Sequence, residues 1–207
     1  GLDLRYNLTS TATLNMTFNP DFGQVEADPS VLNLSAFETR LEEKRPFFVQ
    51  GESFFNSWLR LFNSRRIGRR PNFNEPSSGE IIDQPNETTI LSAAKVLGQT
   101  ESGIKYGIIN AVTGQEYGTR EFELNGITKK DRFLIEPYSN YFVGRFTKPI
   151  VNDLSTVGFM ATDLHRSGQN VKASSFKGDW LLNLMENRLE FTGEYATTIN
   201  EENGYAG

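Results

Sequence analysis

The sequence predicts an all-β protein: an antiparallel meander of about eight strands that forms part of an outer-membrane β-barrel. Apolar and polar residues alternate with period two in paired segments. The 207 residues include 18 Gly and 16 Phe, a composition that favours strands over helices. Short and long connections alternate along the chain, as in outer-membrane barrels. We predict one barrel-like domain over residues 1–207, a piece of a longer chain, with an inserted helix-and-loop subdomain at 20–88.

The first hairpin shows the alternation most clearly. Residues 2–8 and 12–18 each place apolar side chains at every second position and polar ones between them. A tight turn near Thr9 and Ser10 joins the two arms. Such a hairpin has one apolar face and one polar face. Three further hairpins are predicted from segments 89–98 with 103–113, 140–148 with 155–164, and 173–184 with 187–197.

The connections distinguish between architectures. The long ones run over about 20–88, 113–138 and 164–172, and the turns between them are short. Barrels of the outer membrane have short turns at one end and long loops at the other, and the predicted strands of about 9–11 residues match a bilayer crossing. A soluble antiparallel sandwich or an open sheet gives the same alternation and stays as the alternative.

Composition excludes several classes of protein. The chain has no cysteine and a net charge of −5, so neither a disulfide framework nor a thiolate site arises, and bulk charge gives no reason to expect a nucleic-acid partner. No stretch reaches the roughly 18 apolar residues of a spanning helix. That test does not detect β-barrels, whose strands alternate lipid-facing and lumen-facing residues.

The insertion has its own pattern. Residues 28–46 read as a helix with Asp28 as N-cap, Pro29 in the first turn and Pro46 at its end. An aromatic-rich segment and a group of arginines follow. We expect this subdomain to fill the barrel as a plug or to cover its mouth.

The stretch "GLDLRYNLTSTATLNMTFNPDFGQVEADPSVLNLSAFETRLEEKRPFFVQGESFF", with "SRRIGR" and "EPYSNYFVGRF" further on, resembles an uncharacterised outer-membrane family of Gram-negative bacteria. The resemblance runs to about Thr162 and more loosely beyond. In that family a barrel-like region follows a module similar to family 9 carbohydrate-binding modules, and members are sometimes labelled membrane-associated hydrolases. The resemblance implies an outer-membrane location, with that module in the full-length protein.

Basic and aromatic residues of the insertion are the candidate binding site. Guanidinium groups and a nearby tryptophan suit the phosphates of lipopolysaccharide or an anionic polysaccharide. The competing interpretation, which the sequence favours, is a salt-bridged lining that faces the acidic helix. The candidate residues are Arg65, Arg66, Arg69, Arg70 and Trp58.

Three carboxylates precede the predicted helix. Asp21, Glu26 and Asp28 are interpreted first as a helix cap and ion-pair partners. A calcium site made by the same three residues is a second interpretation, since calcium prefers oxygen ligands. A glycosidase-like pair is the third, because such enzymes use two carboxyl groups about 5–10 Å apart; its candidates are Glu26, Asp28 and Glu43.

We therefore expect a structural or transport role linked to carbohydrate handling at the cell surface, with outer-membrane lipid as a partner, no cofactor, and no chemistry performed by this segment. Two alternatives stay open: a membrane-associated glycan hydrolase that uses carboxylates of the insertion, and a soluble β-sheet binding module.

Overall fold

The fold is taken from a computed structural model of the chain. It describes residues 1–20, 42–57, 59–72, 74, 76, 78–168, 171–186 and 188–202, without the side chains of 171, 172 and 200–202. The predicted helix start at Asp28 lies outside the described residues, as do Asp21, Glu26 and Trp58.

Eight strands form the main sheet, in the order β1-β2-β4-β5-β8-β9-β10-β11, with all neighbours antiparallel. The predicted all-β antiparallel meander is confirmed. Within the described residues β1 and β11 are the two edges and do not pair with each other, so the sheet is open. The strands of this sheet are β1 Leu2–Thr9, β2 Ala12–Phe18, β4 Ile90–Gln99, β5 Lys105–Thr113, β8 Ser139–Ile150, β9 Asn152–Arg166, β10 Val171–Leu184 and β11 Leu189–Glu202.

A second, three-stranded sheet is formed by the long connections between strands of the main sheet. It has the order β3-β6-β7 and consists of β3 Glu80–Asp83, β6 Glu116–Leu124 and β7 Ile127–Glu136. The connection expected as a long loop at 113–138 is therefore mostly a hairpin. Its turn is Asn125–Gly126, with φ of 55° and 76°, the left-handed pair that an Asn-Gly turn adopts readily.

All four predicted hairpins of the main sheet are present, and their tight turns lie at one end of it. The turn from β8 to β9 is tighter than expected: only Val151, at φ 60°, separates the two strands.

The expected long connection at 164–172 is wrong, because β9 continues to Arg166 and β10 begins at Val171. Cross-strand contacts such as that from Ser174 Oγ to Asp163 Oδ2, 2.6 Å long, sustain the ladder there. The last three strands are 14–15 residues long, beyond the predicted 9–11.

The two faces of the main sheet have opposite character. The register puts a set of large apolar side chains on one face, which we call the outer face, and several are strongly exposed: Tyr195 is 69% exposed and Leu2 is 64% exposed. The opposite, inner face carries buried charges, with Lys95 and Lys177 each 1% exposed. Outer-face residues include Leu4, Tyr6, Phe18, Phe142, Phe146, Val157, Phe159, Phe176, Trp180 and Phe191.

The inner face is covered by residues 42–57 and 59–72, here called the inner segment. It contains a short helix, α1 Pro46–Val49, and two 3₁₀ turns, Glu52–Phe54 and Ser64–Arg66. Two small apolar clusters join it to the sheet. Phe48 and Ile67 pack with residues of β4 and β5, and Phe55 packs with residues of β5, β8 and β9.

Pro46 begins a helix instead of ending one, which corrects the prediction. Residues 42–45 are not helical, and Arg45 has φ −75° and ψ 119°. A residue before proline is pushed towards the extended region, and proline fits the first helical turn because it has no N–H to satisfy. No helix in the described part of the chain has the length and apolar character needed to cross a bilayer.

Candidate functional site

Two buried lysines of the sheet hold the main chain of the inner segment. Lys95 Nζ on β4 donates to the carbonyl oxygens of Phe47 and Gln50, at the C-terminal end of α1. A cation at this position satisfies carbonyls that the helix leaves open. Lys95 Nζ also lies 4.8 Å from the centroid of the Phe47 ring. The lysine therefore fixes α1 against the inner face.

Lys177 on β10 makes the second attachment. Its Nζ donates to Ser57 Oγ at 2.5 Å and to the Leu59 carbonyl at 2.9 Å, and it pairs with Glu194 of β11 at 2.9 Å. Glu194 in turn accepts from the Leu59 N–H at 2.5 Å. The Lys177–Glu194 pair thus binds both the N–H and the C=O of one residue of the inner segment.

A second buried ion pair lies within the sheet itself. Arg145 on β8 donates both terminal nitrogens to the Asp179 carboxylate on β10. The pair spans β9, where Gly158 leaves room: a Cβ there would lie 2.7 Å from Asp179 Oδ1. Charges that are buried in this way are stable only when they are paired.

The predicted catalytic candidate Glu43 is the centre of an ion-pair network in the inner segment. Its carboxylate receives Arg45 Nε at 2.8 Å, Arg45 Nη2 at 2.7 Å and Ser64 Oγ at 2.6 Å. Burial acts to raise the pKa of Glu43, but the hydrogen bonds and charge of Arg45, with the Ser64 bond, outweigh it and hold the pKa below its ordinary value. Both oxygens are occupied by these partners, an arrangement that suits a structural carboxylate.

The predicted binding arginines separate into two groups. Arg65 donates to the Glu42 carbonyl at 2.6 and 3.0 Å. With the Gln84 amide turned so that its oxygen faces Arg70, the Arg70 guanidinium donates to that oxygen at 2.6 and 2.7 Å. These contacts tie the chain to itself. Arg66 and Arg69 line a cavity. Trp58, the fifth candidate, lies outside the described residues.

The cavity lies between the inner segment and the inner face, at the end of the sheet that carries the long connections. Its volume is about 340 Å³. Besides Arg66 and Arg69, a third arginine lines it: Arg166, the last residue of β9. Arg166 Nε lies 3.6 Å from the buried Glu136 carboxylate. Apolar side chains and hydroxyls complete the lining, among them Leu61, Phe62, Val143, Tyr141, Thr162 and Ser175.

Arg166 is the site residue that the sequence prediction missed, because residues 164–172 were assigned to a loop. The signal was the period-two pattern of β9, which continues past Thr162. Met160, Thr162 and Leu164 face inwards, and Arg166 is the next inward position.

The remaining predicted residues keep the status of predictions. Asp21, Glu26 and Asp28 lie outside the described residues, so neither the calcium site nor the carboxylate pair is tested. Within the described ranges no group of three or more His, Asp or Glu side chains is placed to hold a metal ion.

The structure defines an all-β antiparallel domain with a charged, covered sheet face and an arginine-lined cavity. The chain belongs to the family described as "Domain of unknown function (DUF5916)", whose model matches residues 1–207. The match extends over the whole chain, beyond the region up to Thr162 that carried the main resemblance. The family's description names no activity. No curated protein and no solved structure matches the chain.

Proposed function

We propose that this domain is a section of the wall of an outer-membrane β-barrel, with the inner segment held inside as a plug. The observation that carries the proposal is the distribution of side chains over the two faces of the main sheet. The exposed outer face is apolar, and the covered inner face bears Lys95, Arg145 and Lys177. Water-soluble sheets bury their apolar face. A membrane barrel turns its apolar face to lipid and its polar face to the lumen.

The energetics favour lipid as the environment of the outer face. Moving a large apolar side chain out of water contributes about 1.5–3 kcal/mol, and this face presents such side chains on β1, β2, β8, β9, β10 and β11. Contiguous exposed apolar surfaces of this kind are rare on soluble monomers. Lipid removes the whole face from water without needing a protein partner.

Barrel closure requires partners for β1 and β11, whose outer edges carry unpaired main-chain groups in the described sheet. In the proposed barrel, further strands pair with both edges. The end with tight turns is then the periplasmic end, and the end with the β6–β7 hairpin and the cavity faces outwards. The role that we propose is structural or transport-related, and its link to carbohydrate handling at the surface comes from the resemblance to a family that carries a carbohydrate-binding module.

The chain contains no cysteine, so a fluorophore attached to a single introduced cysteine reports the environment of that position alone. Phe191 and Thr192 are adjacent on β11 and face opposite sides of the sheet. The variants Phe191→Cys and Thr192→Cys, each carrying an environment-sensitive fluorophore, are reconstituted in vesicles that contain a lipid-chain quencher. We expect strong quenching at position 191 and little at 192. Equal quenching at both positions, or a protein that stays monomeric in buffer without detergent, contradicts the proposal.

A further inference from the structure

Three arginines line the cavity, two from one stretch of the inner segment and one from the main sheet. Arg66 comes from the second 3₁₀ turn, Arg69 from the coil after it, and Arg166 from the end of β9. In the part of the chain that the structure describes, two acidic residues lie near them. Asp163 belongs to the lining, but its side chain lies on the outer face, opposite to Thr162 and Leu164, and accepts from Ser174 Oγ at 2.6 Å; Glu136 faces Arg166. Among the described residues that line the cavity, arginines therefore outnumber acidic residues.

The rest of the lining is mixed. Phe62, Leu61 and Val143 offer an apolar wall, and Thr162 and Ser175 offer hydroxyl groups. The volume of about 340 Å³ is at the small end of the range for ligand pockets. An apolar wall with a few hydrogen-bonding groups suits a sugar ring, and guanidinium groups bind carboxylate or phosphate through two parallel hydrogen bonds.

We infer that the cavity binds a single sugar unit that carries an anionic group, a phosphate or a carboxylate. The guanidinium groups hold the anion, and Phe62, Thr162 and Ser175 contact the ring. This goes beyond the proposed membrane role and does not depend on it, because the cavity is formed by side chains of the inner segment and the inner face.

Binding is measured by isothermal titration calorimetry at low salt, with four probes: glucose 6-phosphate, glucuronate, glucose and inorganic phosphate. We expect glucose 6-phosphate, glucuronate or both to bind, glucose not to bind, and inorganic phosphate to bind more weakly than the anionic sugars. Inorganic phosphate that binds as tightly as glucose 6-phosphate overturns the assignment to a sugar, and no binding by either anionic sugar overturns the site.

Arg69→Gln is the main variant. Loss of a hydrogen-bonded charge should weaken binding of the anionic sugar at least about tenfold. Arg188→Gln removes the same charge from the β10–β11 turn, at the opposite end of the sheet, and should leave affinity unchanged. Ser175→Ala, which leaves every charge in place, should weaken the sugar more than inorganic phosphate. Unchanged affinity in both cavity variants, each folded by circular dichroism, overturns the inference.

These outcomes are separate from those of the membrane test. If the protein is soluble without detergent but binds glucuronate through Arg69, the barrel proposal is wrong and the proposed binding site stands. If the protein inserts in lipid but binds none of the probes, the barrel proposal stands and the proposed binding site is wrong.

Discussion

The guanidinium of Arg145 and the carboxylate of Asp179 form a two-bonded ion pair that crosses an intervening strand. Arg145 Nη2 donates to Asp179 Oδ1 at 2.8 Å, and the second bond runs from Nη1 to Oδ2. The pair passes over Gly158 on β9. A charged contact between strands that are not neighbours therefore depends on the absence of a side chain at one position between them.

Gly158→Ala should lower the free energy of unfolding by about 1–3 kcal/mol, because the new Cβ would lie 2.7–2.8 Å from atoms of both partners and must displace them. The measurement is urea unfolding in the detergent or lipid used for folding. Gly178→Ala is the matched control, since a Cβ there meets nothing within 4 Å; it should change stability by less than about 0.5 kcal/mol. Equal effects at the two glycines would show that the ion pair does not need the open position.

Lys177→Met should loosen the middle of the inner segment without unfolding the sheet. The variant loses the bonds from Nζ to Ser57 and Leu59, and hydrogen bonds to charged groups each contribute about 1.5–3 kcal/mol. We expect the Leu59 amide to exchange with deuterium at least about tenfold faster. Lys105→Met, an exposed lysine of the same sheet, serves as the control. Identical exchange at Leu59 in the two variants would mean that Lys177 does not hold the segment.

Glu43→Gln should destabilise the protein at neutral pH by about 1–3 kcal/mol, and the difference from the unaltered protein should shrink in acid. The pKa of Glu43 is lowered in the folded protein relative to its ordinary value of 4.5. The ionised carboxylate thus stabilises the fold above about pH 4.5, and this contribution is lost as pH falls through the lower, folded pKa. Urea unfolding between pH 3 and 8 measures the gap. A gap that stays constant down to pH 3 would show that the titration of Glu43 is not coupled to folding.

The strands of the main sheet were predictable because each hairpin keeps its alternation through both arms. Which face is covered was harder to predict, because period two is the same in soluble and membrane sheets. Lys95 and Lys177 indicate which face is covered. Each lies on the face of its strand opposite to the exposed apolar side chains, and both are buried beneath the inner segment.

The site was predicted less completely than the strands. Arg66 and Arg69 could be named from a local cluster of arginines, but Arg166 joins them only through the pairing of β9 with β8 and β10. The local sequence around Arg66 and Arg69 gives no indication of a contact with a residue so far along the chain. The role of Pro46 was misjudged for a local reason, since proline is compatible with the first turn of a helix as well as with the residue after its end.

The attachment of the inner segment has a consequence for the order of folding. Leu59 precedes β4 in the chain, yet the carboxylate that accepts from its N–H belongs to Glu194, 135 residues later. Neighbouring strands of the meander make short-range contacts that form quickly, whereas a contact of such long range closes slowly. The inner segment therefore cannot make all of its contacts with the sheet until β10 and β11 have formed. The β10–β11 hairpin, which follows the inner segment in the chain, therefore fixes that segment in place.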